Sequence, residues 1–598
     1  NTVFILALHA GSRATPKTAQ GKKYGKNRVA HIVTFGTFKA KLALRDAARV
    51  YKLSEVRLKE ILKCINALPI KELYTITLKE IIEKDSKLQK LMEDYEDIQQ
   101  VVTVASKMEG LPRNTSTHAA GIIITGSDLV HYTPLDNGLD DIYQTQYEAS
   151  DLEALGLLKM DFLGLRNLTN IQKCIELIKE EQPNFVFPKE MNDKDTFAML
   201  AKGDVSGVFQ LESAGMRKVL MDLKVSSFED ISSALALYRP GPMEMIPHFI
   251  ARKFKKEEVK YPHKDLEPIL KETYGTIVYQ DQIMLIARKF AGYTLGRADI
   301  LRRAVSKKKL EVLEQERTHF VASSVNQGYS KQTAEEIYDY IVKFASYGFN
   351  KAHSISYAKV SYQTAYLKCH YLPYYLSTLM TSVIGSDTDI KLYYQEAIKK
   401  GLKVIAPSIN ESKQEFYVKN NTIIFPLSVI RGLGTVKVGE LLEERSKQKF
   451  IDFEDFVKRT ANILGGALIE NVIYSGALDE FGLTKKAMID NYQQILDRLS
   501  YDFVADFVKP TYDNEEFTYG ELLEREKNIL GINLKYNFFN QYLGLYDKLG
   551  LVHIKDIKPN MHIKTLGIIQ TIKVIKTKQN ESMAFVKLID DVDSIELT

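Results

Sequence analysis

Between Lys22 and Gly110 apolar residues recur at helical spacing through a strongly charged stretch that ends in LYTITLKEIIEKDSKLQKLMEDYEDIQQVVTVASKMEG, which predicts a small helical unit. The texture changes between Leu111 and Leu165. GIIIT (Gly121 to Thr125) and GLLKMDFL (Gly156 to Leu163) are short apolar runs bounded by glycine, as expected of two buried strands of one sheet. From Arg166 to Ser408 helical patterns dominate, interrupted at RPGPM (Arg239 to Met243) and HYLPYY (His370 to Tyr375). LSVIRGLGTVKVGELLEE and, further on, NILGGALIENVIYSGALDEFG each break a helical pattern with a glycine-bearing turn, the mark of a tandem helix-hairpin-helix. The last segment, Met561 to Thr598, alternates apolar and polar residues in two or three strands about Gln579 and Asn580, suggesting an incomplete β-barrel. The expected fold class is α+β, mostly helical and multidomain.

At 598 residues the chain exceeds one hydrophobic core, so about four packed units are expected. A 45% hydrophobic and 26% charged composition is that of ordinary globular material. No apolar run approaches the roughly 18 residues of a membrane span, so no membrane partner is expected. The opening Asn1 to Ala10 is apolar but short, lacks a basic lead and does not start with Met, so it reads as a truncated start rather than a signal peptide. Cys64, Cys174 and Cys369 lie far apart, which argues against disulfides or structural zinc and for a reducing, cytoplasmic setting. The net charge of +5 is too small to define a polyanionic partner, but its distribution is informative. Arg239 to Lys309 holds 16 Lys or Arg against 8 Asp or Glu, a local excess of 8.

Within that stretch ADILRRAVSKKK, as a helix, puts Leu301, Ala304 and Val305 on one face and leaves Arg303 and Lys307 as a like-charge i, i+4 pair. Either an anion lies between them or the face is simply solvated. YGFNKAHSISYAKVSYQTAYL (Tyr347 to Leu367) places Lys351 and His353 just before a helix for which Ser354 is the expected N-cap, and a helix N-terminus beside a lysine binds phosphate well. Tyr362 and Tyr366, one turn apart on this helix, suit core packing better than base stacking. IRGLGTVKVG (Ile430 to Gly439), with Gly432, Gly434 and Lys437, suits backbone contact to duplex phosphates, or a plain helical turn. Lys573, Lys576 and Lys578 are candidates for a basic strand face that grips single-stranded DNA, or for ordinary solubilising charge.

GVFQLESAGMRKVL (Gly207 to Leu220), LYRPGPMEMIPHFIARK (Leu237 to Lys253), TYGTIVYQDQIM (Thr273 to Met284) and FNKAHSISYA resemble, in order and spacing, the fingers of the alpha subunit of bacterial DNA polymerase III. KYGKNRVAHIVTFGTFKAK (Lys23 to Lys41) resembles that family's palm-to-thumb passage, and RNTSTHAAGIII with KMDFLGLRNL its palm. The continuous order without an inserted exonuclease resembles the DnaE type more than the PolC type. The resemblance implies residues 1–35 as a divergent start and palm remnant, 36–110 thumb, 111–165 a polymerase-beta-like partial palm, and 166–425 fingers. It further implies 426–500 as tandem helix-hairpin-helix, 501–560 as a linker and clamp-proximal region, and 561–598 as a partial OB fold.

That family carries out template-directed DNA synthesis, transferring a nucleotide from a dNTP to a primer 3′ end with two Mg²⁺ ions held by carboxylates. Asp161 matches the third catalytic carboxylate, and Lys159, two residues earlier, lies on the same strand face, where it is a candidate phosphate-binding residue. Arg239, Arg302, Arg303, Lys307, Lys351, His353 and Ser354 form the candidate triphosphate-binding group. The implied partners are primer-template DNA, dNTPs, a sliding clamp and other replisome subunits. The sequence departs from the family where an acidic Pro-Asp-x-Asp-x-Asp strand is expected: NTVFILALHAGSRATPKTAQGK contains no acidic residue, so the metal site is incomplete. The Gly-Ser loop and the amino-terminal PHP domain are missing as well. The pairs Asp193/Asp195, Asp387/Asp389 and Asp591/Asp593 read as solvated turns. The alternatives are a non-catalytic DNA-binding paralogue or inactive fragment and, more remotely, an unrelated helical nucleic-acid-binding protein.

Overall fold

A computed structural model describes residues 5–9, 21, 23–66, 76–139, 141–306, 310–345, 348–500, 510–537, 539, 542–558, 561–576, 582–590 and 594–598. The chain divides into two compact units, Asn1–Thr169 and Asn170–Thr598.

The first unit is built on a six-stranded mixed sheet. Its strands are β1 (Ile5–His9), β2 (Val29–Thr37), β3 (Pro112–Ile124), β4 (Leu135–Asp136), β5 (Tyr143–Thr145) and β6 (Lys159–Leu165), in the order β1-β6-β3-β2-β5-β4. The two glycine-bounded runs are partners, as their patterning requires: β3 and β6 pair antiparallel, with Gly121 opposite Asp161. One expectation is corrected. Val29 to Thr37 belongs to no helical unit but forms a central strand, because Val29, Ile32, Val33, Thr34 and Thr37 supply the β-branched side chains that a pleated, half-buried surface favours. Ala30, Ile32 and Ile123 fill one core of the unit with Leu129 and Leu152, while Val29, Ile122, Ile142 and Phe162 form another.

Helices Ala40–Val50, Glu55–Asn66, Leu78–Lys84, Ser86–Asp94 and Glu96–Met108 are inserted between β2 and β3. Their apolar stripes meet at Leu44, Ile61, Leu78, Ile98 and Val102, all essentially inaccessible. Burial of each such side chain stabilises by about 1.5–3 kcal/mol. Thr77 starts the third of these helices through a capping box with Glu80, and Asp85 caps the fourth.

The second unit is mostly helical around several cores. One gathers residues from Phe197 to Ala365, a second runs from Leu266 to Ile341, and a third from Ile409 to Leu530. A small sheet of β7 (Lys403–Ile405), β8 (Tyr417–Lys419) and β9 (Thr422–Ile424) interrupts the helices where none was expected. Near the end, β10 (Ile568–Lys576), β11 (Ser582–Ile589) and β12 (Ser594–Leu597) form an antiparallel meander. Gln579 and Asn580, the expected turn, lie outside the described residues, as does the Asp591/Asp593 pair. No described helix is long and apolar enough to cross a membrane.

Candidate functional site

On β6 the period of two puts Lys159 and Asp161 on one face, and their side chains meet with Nζ 3.3 Å from Oδ1. Asp161 is 15% exposed, and among the described residues its Oδ1 has no hydrogen-bond partner beyond that ion pair. Gly121, opposite Asp161 on β3, is what gives Lys159 room: a Cβ there would stand 2.8 Å from Lys159 Cε. The irregular stretch of β3 before Gly121 is held by His118, whose Nδ1 accepts the Gly121 and Ala120 amides at 2.7 and 3.2 Å. On the other side, β1 runs parallel to β6 and pairs Ile5 with Asp161, Leu6 with Phe162 and Ala7 with Leu163.

This arrangement does not fit two divalent ions. Such ions need several hard oxygen ligands, whereas β1 is Ile-Leu-Ala-Leu-His and the lone carboxylate already faces an ammonium. Among the described residues one group of His, Cys, Asp and Glu is close enough to share an ion: Asp193, Cys369 and His370, with donor atoms within 4.8 Å. Its carboxylate is occupied structurally. Asp193 is no solvated turn but the N-cap of helix Lys194–Ala201, its Oδ2 accepting the Thr196 amide and hydroxyl and lying 2.8 Å from His370 Nε2. Asp387 and Asp389 likewise sit in the first turn of helix Asp387–Lys399, where negative charge is favourable, and Asp387 pairs with Arg431.

Three cations of the second unit, Arg239, Arg302 and Lys351, converge from separate segments. Their hub is a two-residue bridge in which the Gln280 amide donates to Phe349 O at 2.8 Å and the Phe349 amide to Val278 O at 2.9 Å. Arg239 lies with its guanidinium centre 4.7 Å above the Phe349 ring, and burial pushes it down from its ordinary pKa. Arg302, on helix Leu295–Ser306, donates from Nη1 to Gln280 Oε1 at 2.9 Å. Lys351 donates its amide to Asp281 at 3.1 Å and carries its Nζ 5.4 Å above the Tyr279 ring. A cavity of about 190 Å³ opens beside it, lined by Glu229, Ser232, Ser233, Glu272, Tyr279 and Lys351 among others.

Three local expectations are corrected here. Helix Lys351–His370 starts earlier than expected, capped by Asn350, whose side chain accepts the His353 amide at 2.9 Å. Asn caps as well as Ser. Lys351 and His353 therefore lie inside the first turn, and Ser354 is wholly buried, its hydroxyl donating to Ser232 O at 2.7 Å, so it is not presented to a ligand. The His353 ring lies tilted against that of Tyr357 with centroids 4.2 Å apart, and burial pushes its imidazole pKa down, towards the neutral form. Arg303 does not wait for an outside anion, because it shares Asp299 with Arg302. Lys307 lies outside the described residues. Leu301 and Ala304 face the core, and Tyr362 is fully buried, accepting the Asp193 amide at 3.0 Å.

In the hairpin region, helix Thr435–Lys447 begins at Gly434 and helix Gly466–Tyr474 at Gly465, both N-caps without a side-chain hydrogen bond. Their first amides are left for solvent or phosphate. Gly465 was not singled out from the sequence, although the doubled glycine of ILGGA repeats the RGLGT signal. The two hairpins pack together: Asn471 donates to Arg431 O at 2.8 Å, and Gly432, at φ +86°, has Leu468 2.7 Å from where a Cβ would stand. Gly432→Ala is expected to destabilise the pair by about 1–3 kcal/mol, measured as a lowered denaturation midpoint. Lys437 is half-buried on the first of these helices.

The basic strand face is corrected as well. Lys573 and Lys576 are both exposed on β10, but three residues of unbroken register put them on opposite faces, and Lys578 lies outside the described residues.

The chain matches the models of the bacterial DNA polymerase III alpha NTPase domain over residues 11–164 and of the bacterial DNA polymerase III alpha subunit finger domain over residues 167–328. A helix-hairpin-helix motif model matches residues 401–488. The chain is 42% identical over 593 residues to the DNA polymerase III subunit alpha of Bacillus subtilis (strain 168), covering 96% of this chain and 53% of that protein. It is 39% identical over 591 residues to the subunit of Halalkalibacterium halodurans, covering 96% and 52%, and 39% over 586 residues to that of Staphylococcus aureus (strain MRSA252), covering 96% and 54%. The chain thus spans about half the length of the curated relatives it matches.

Proposed function

From the premise that the chain belongs to the bacterial DNA polymerase III alpha-subunit family, we propose that it is the portion of a DnaE-type, DNA-directed DNA polymerase that holds the incoming dNTP and the primer-template. In this reading residues 111–165 are a partial palm, 36–110 the thumb, 166–425 the fingers, 426–500 tandem hairpins on duplex phosphates, 501–560 a clamp-proximal linker, and 561–598 part of an OB fold. A sliding clamp and other replisome subunits are the implied partners. The observation that carries it is the gathering of Arg239, Arg302 and Lys351 at the Tyr279 to Phe349 bridge, from three segments well separated along the chain. Fixed cations on buried or hydrogen-bonded stems are what a triphosphate needs.

Asp161 is the one catalytic carboxylate assigned to the chain, with Lys159 beside it. The absence of an acidic side chain from β1 favours a second reading for the chain as it stands: a DNA- and nucleotide-binding module that does not extend a primer. The test is direct. Binding to a primer-template is expected to weaken steeply with salt, by at least about tenfold between 50 and 200 mM, with no extension of the primer by this chain. Salt-insensitive binding would overturn the phosphate-gripping model, and primer extension would overturn the second reading.

A further inference from the structure

The cations assigned to triphosphate are not held open. Lys351 Nζ lies 2.7 and 2.9 Å from the two oxygens of Glu272. Arg302 and Arg303 each reach Asp299, at 2.7 Å from its two oxygens. Asp281 accepts the Lys351 amide, and Glu229 lines the same cavity. Lys351 is thus paired with Glu272, Arg302 and Arg303 share Asp299, and Glu229 and Asp281 add negative charge beside Lys351.

These carboxylates differ in how firmly they are held. Asp299 sits one turn before its arginines on the same helix, 27% exposed. Burial opposes its charge, but hydrogen bonds and charge from Arg302, then Arg303, hold its carboxyl below the usual range. Glu272 is 41% exposed, binds from a different segment, and makes a contact of the kind that contributes at most about 1 kcal/mol in water. It is the partner a phosphate can replace.

We propose that Glu272 is a resident counter-anion of the triphosphate subsite, positioning Lys351 over the Tyr279 ring when no nucleotide is bound and yielding it to a phosphate oxygen of the incoming triphosphate. The inference rests on the assignment of these cations to the dNTP. Unliganded, the pair keeps Lys351 from repelling its cationic neighbours and fixes its rotamer. On binding, the lysine exchanges one carboxylate for a more highly charged acceptor, and the released Glu272 returns to water.

The test is a double-mutant cycle on this chain, with inorganic tripolyphosphate and dATP as probes in calorimetric titrations at low ionic strength. E272Q is expected to tighten both ligands by about two- to fivefold, the scale of an exposed pair, and E272D, which keeps the charge, to stay near the parent. In a K351M background E272Q is expected to change nothing. Unchanged or weaker binding by E272Q overturns the proposal, and so does a gain that persists in K351M, which would mark a general field effect. If the parent and every variant fail to bind either probe, the triphosphate assignment itself falls and this inference with it. Equal denaturation midpoints for parent and E272Q separate an effect on Lys351 from a loss of fold.

Discussion

Replacing Lys368 by methionine is expected to cost about 3–5 kcal/mol of stability. Lys368 lies on the helix that begins at Lys351, and its side chain is 1% exposed. Its ammonium is 2.8 Å from Asp204 and 2.5 Å from Glu396, and it donates to Ser206 O at 2.9 Å. A buried ion pair contributes little over an apolar isostere, but removing one partner leaves the others charged, and here Glu396 loses its ammonium while Asp204 keeps only Lys400. Denaturant titration of the parent and the variant measures the difference. A change below about 1 kcal/mol would mean that water reaches the carboxylates and that the network is not closed.

The same network sets an acid limit. Burial alone would raise the Asp204 carboxyl, but hydrogen bonds and charge from Lys368, then Lys400, outweigh it and hold it below the usual range. The folded state therefore binds fewer protons than the unfolded chain at low pH. The contribution is complete above the unfolded value of about 3.9 and is lost as pH falls through the folded value. In K368M this acid-linked loss is expected to shrink.

The second large effect is on ligand affinity. Arg302→Ala is expected to weaken tripolyphosphate binding by about ten- to a hundredfold, the equivalent of one or two charge-assisted hydrogen bonds at 1.4 kcal/mol per decade. Arg302 is held at Nε by Asp299 and at Nη1 by Gln280, at 2.8 and 2.9 Å, so its guanidinium is oriented before a ligand arrives. Lysine at this position keeps the charge and loses the fork, so Arg302→Lys is expected to fall between the parent and alanine. Calorimetry gives the affinities, and the denaturation midpoint controls for the structural contacts to Asp299 and Gln280. Parent-like affinity in Arg302→Ala would remove Arg302 from the site.

Much of the local structure was legible because it is written in spacing. The glycine-bounded runs became paired strands, Leu301 and Ala304 faced the core, and Tyr362 was buried as its helical phase implied. Some local signals were legible but misjudged. FNKAH already contains the Asn350 cap, four residues before Ser354, and the odd and even numbers of Lys573 and Lys576 already assign them to opposite faces of a strand. VAHIVTFGT had the β-branched content of a strand inside a stretch whose charge suggested helix.

Other features have no local signature. The sequence by itself determined helix and strand periodicity, the concentration of positive charge from Arg239 to Lys309, and the lone Asp161 on an apolar strand beside a segment without carboxylates. Only the tertiary structure decided that Arg239, Arg302 and Lys351 meet at one bridge, and that Glu272 neutralises Lys351 there. It also decided that Gly121 makes room for Lys159 beside Asp161. The physical reason is one of range: backbone geometry repeats over two to four residues and leaves its period in the sequence, whereas these contacts join positions tens to more than a hundred residues apart, through packing that no local pattern encodes.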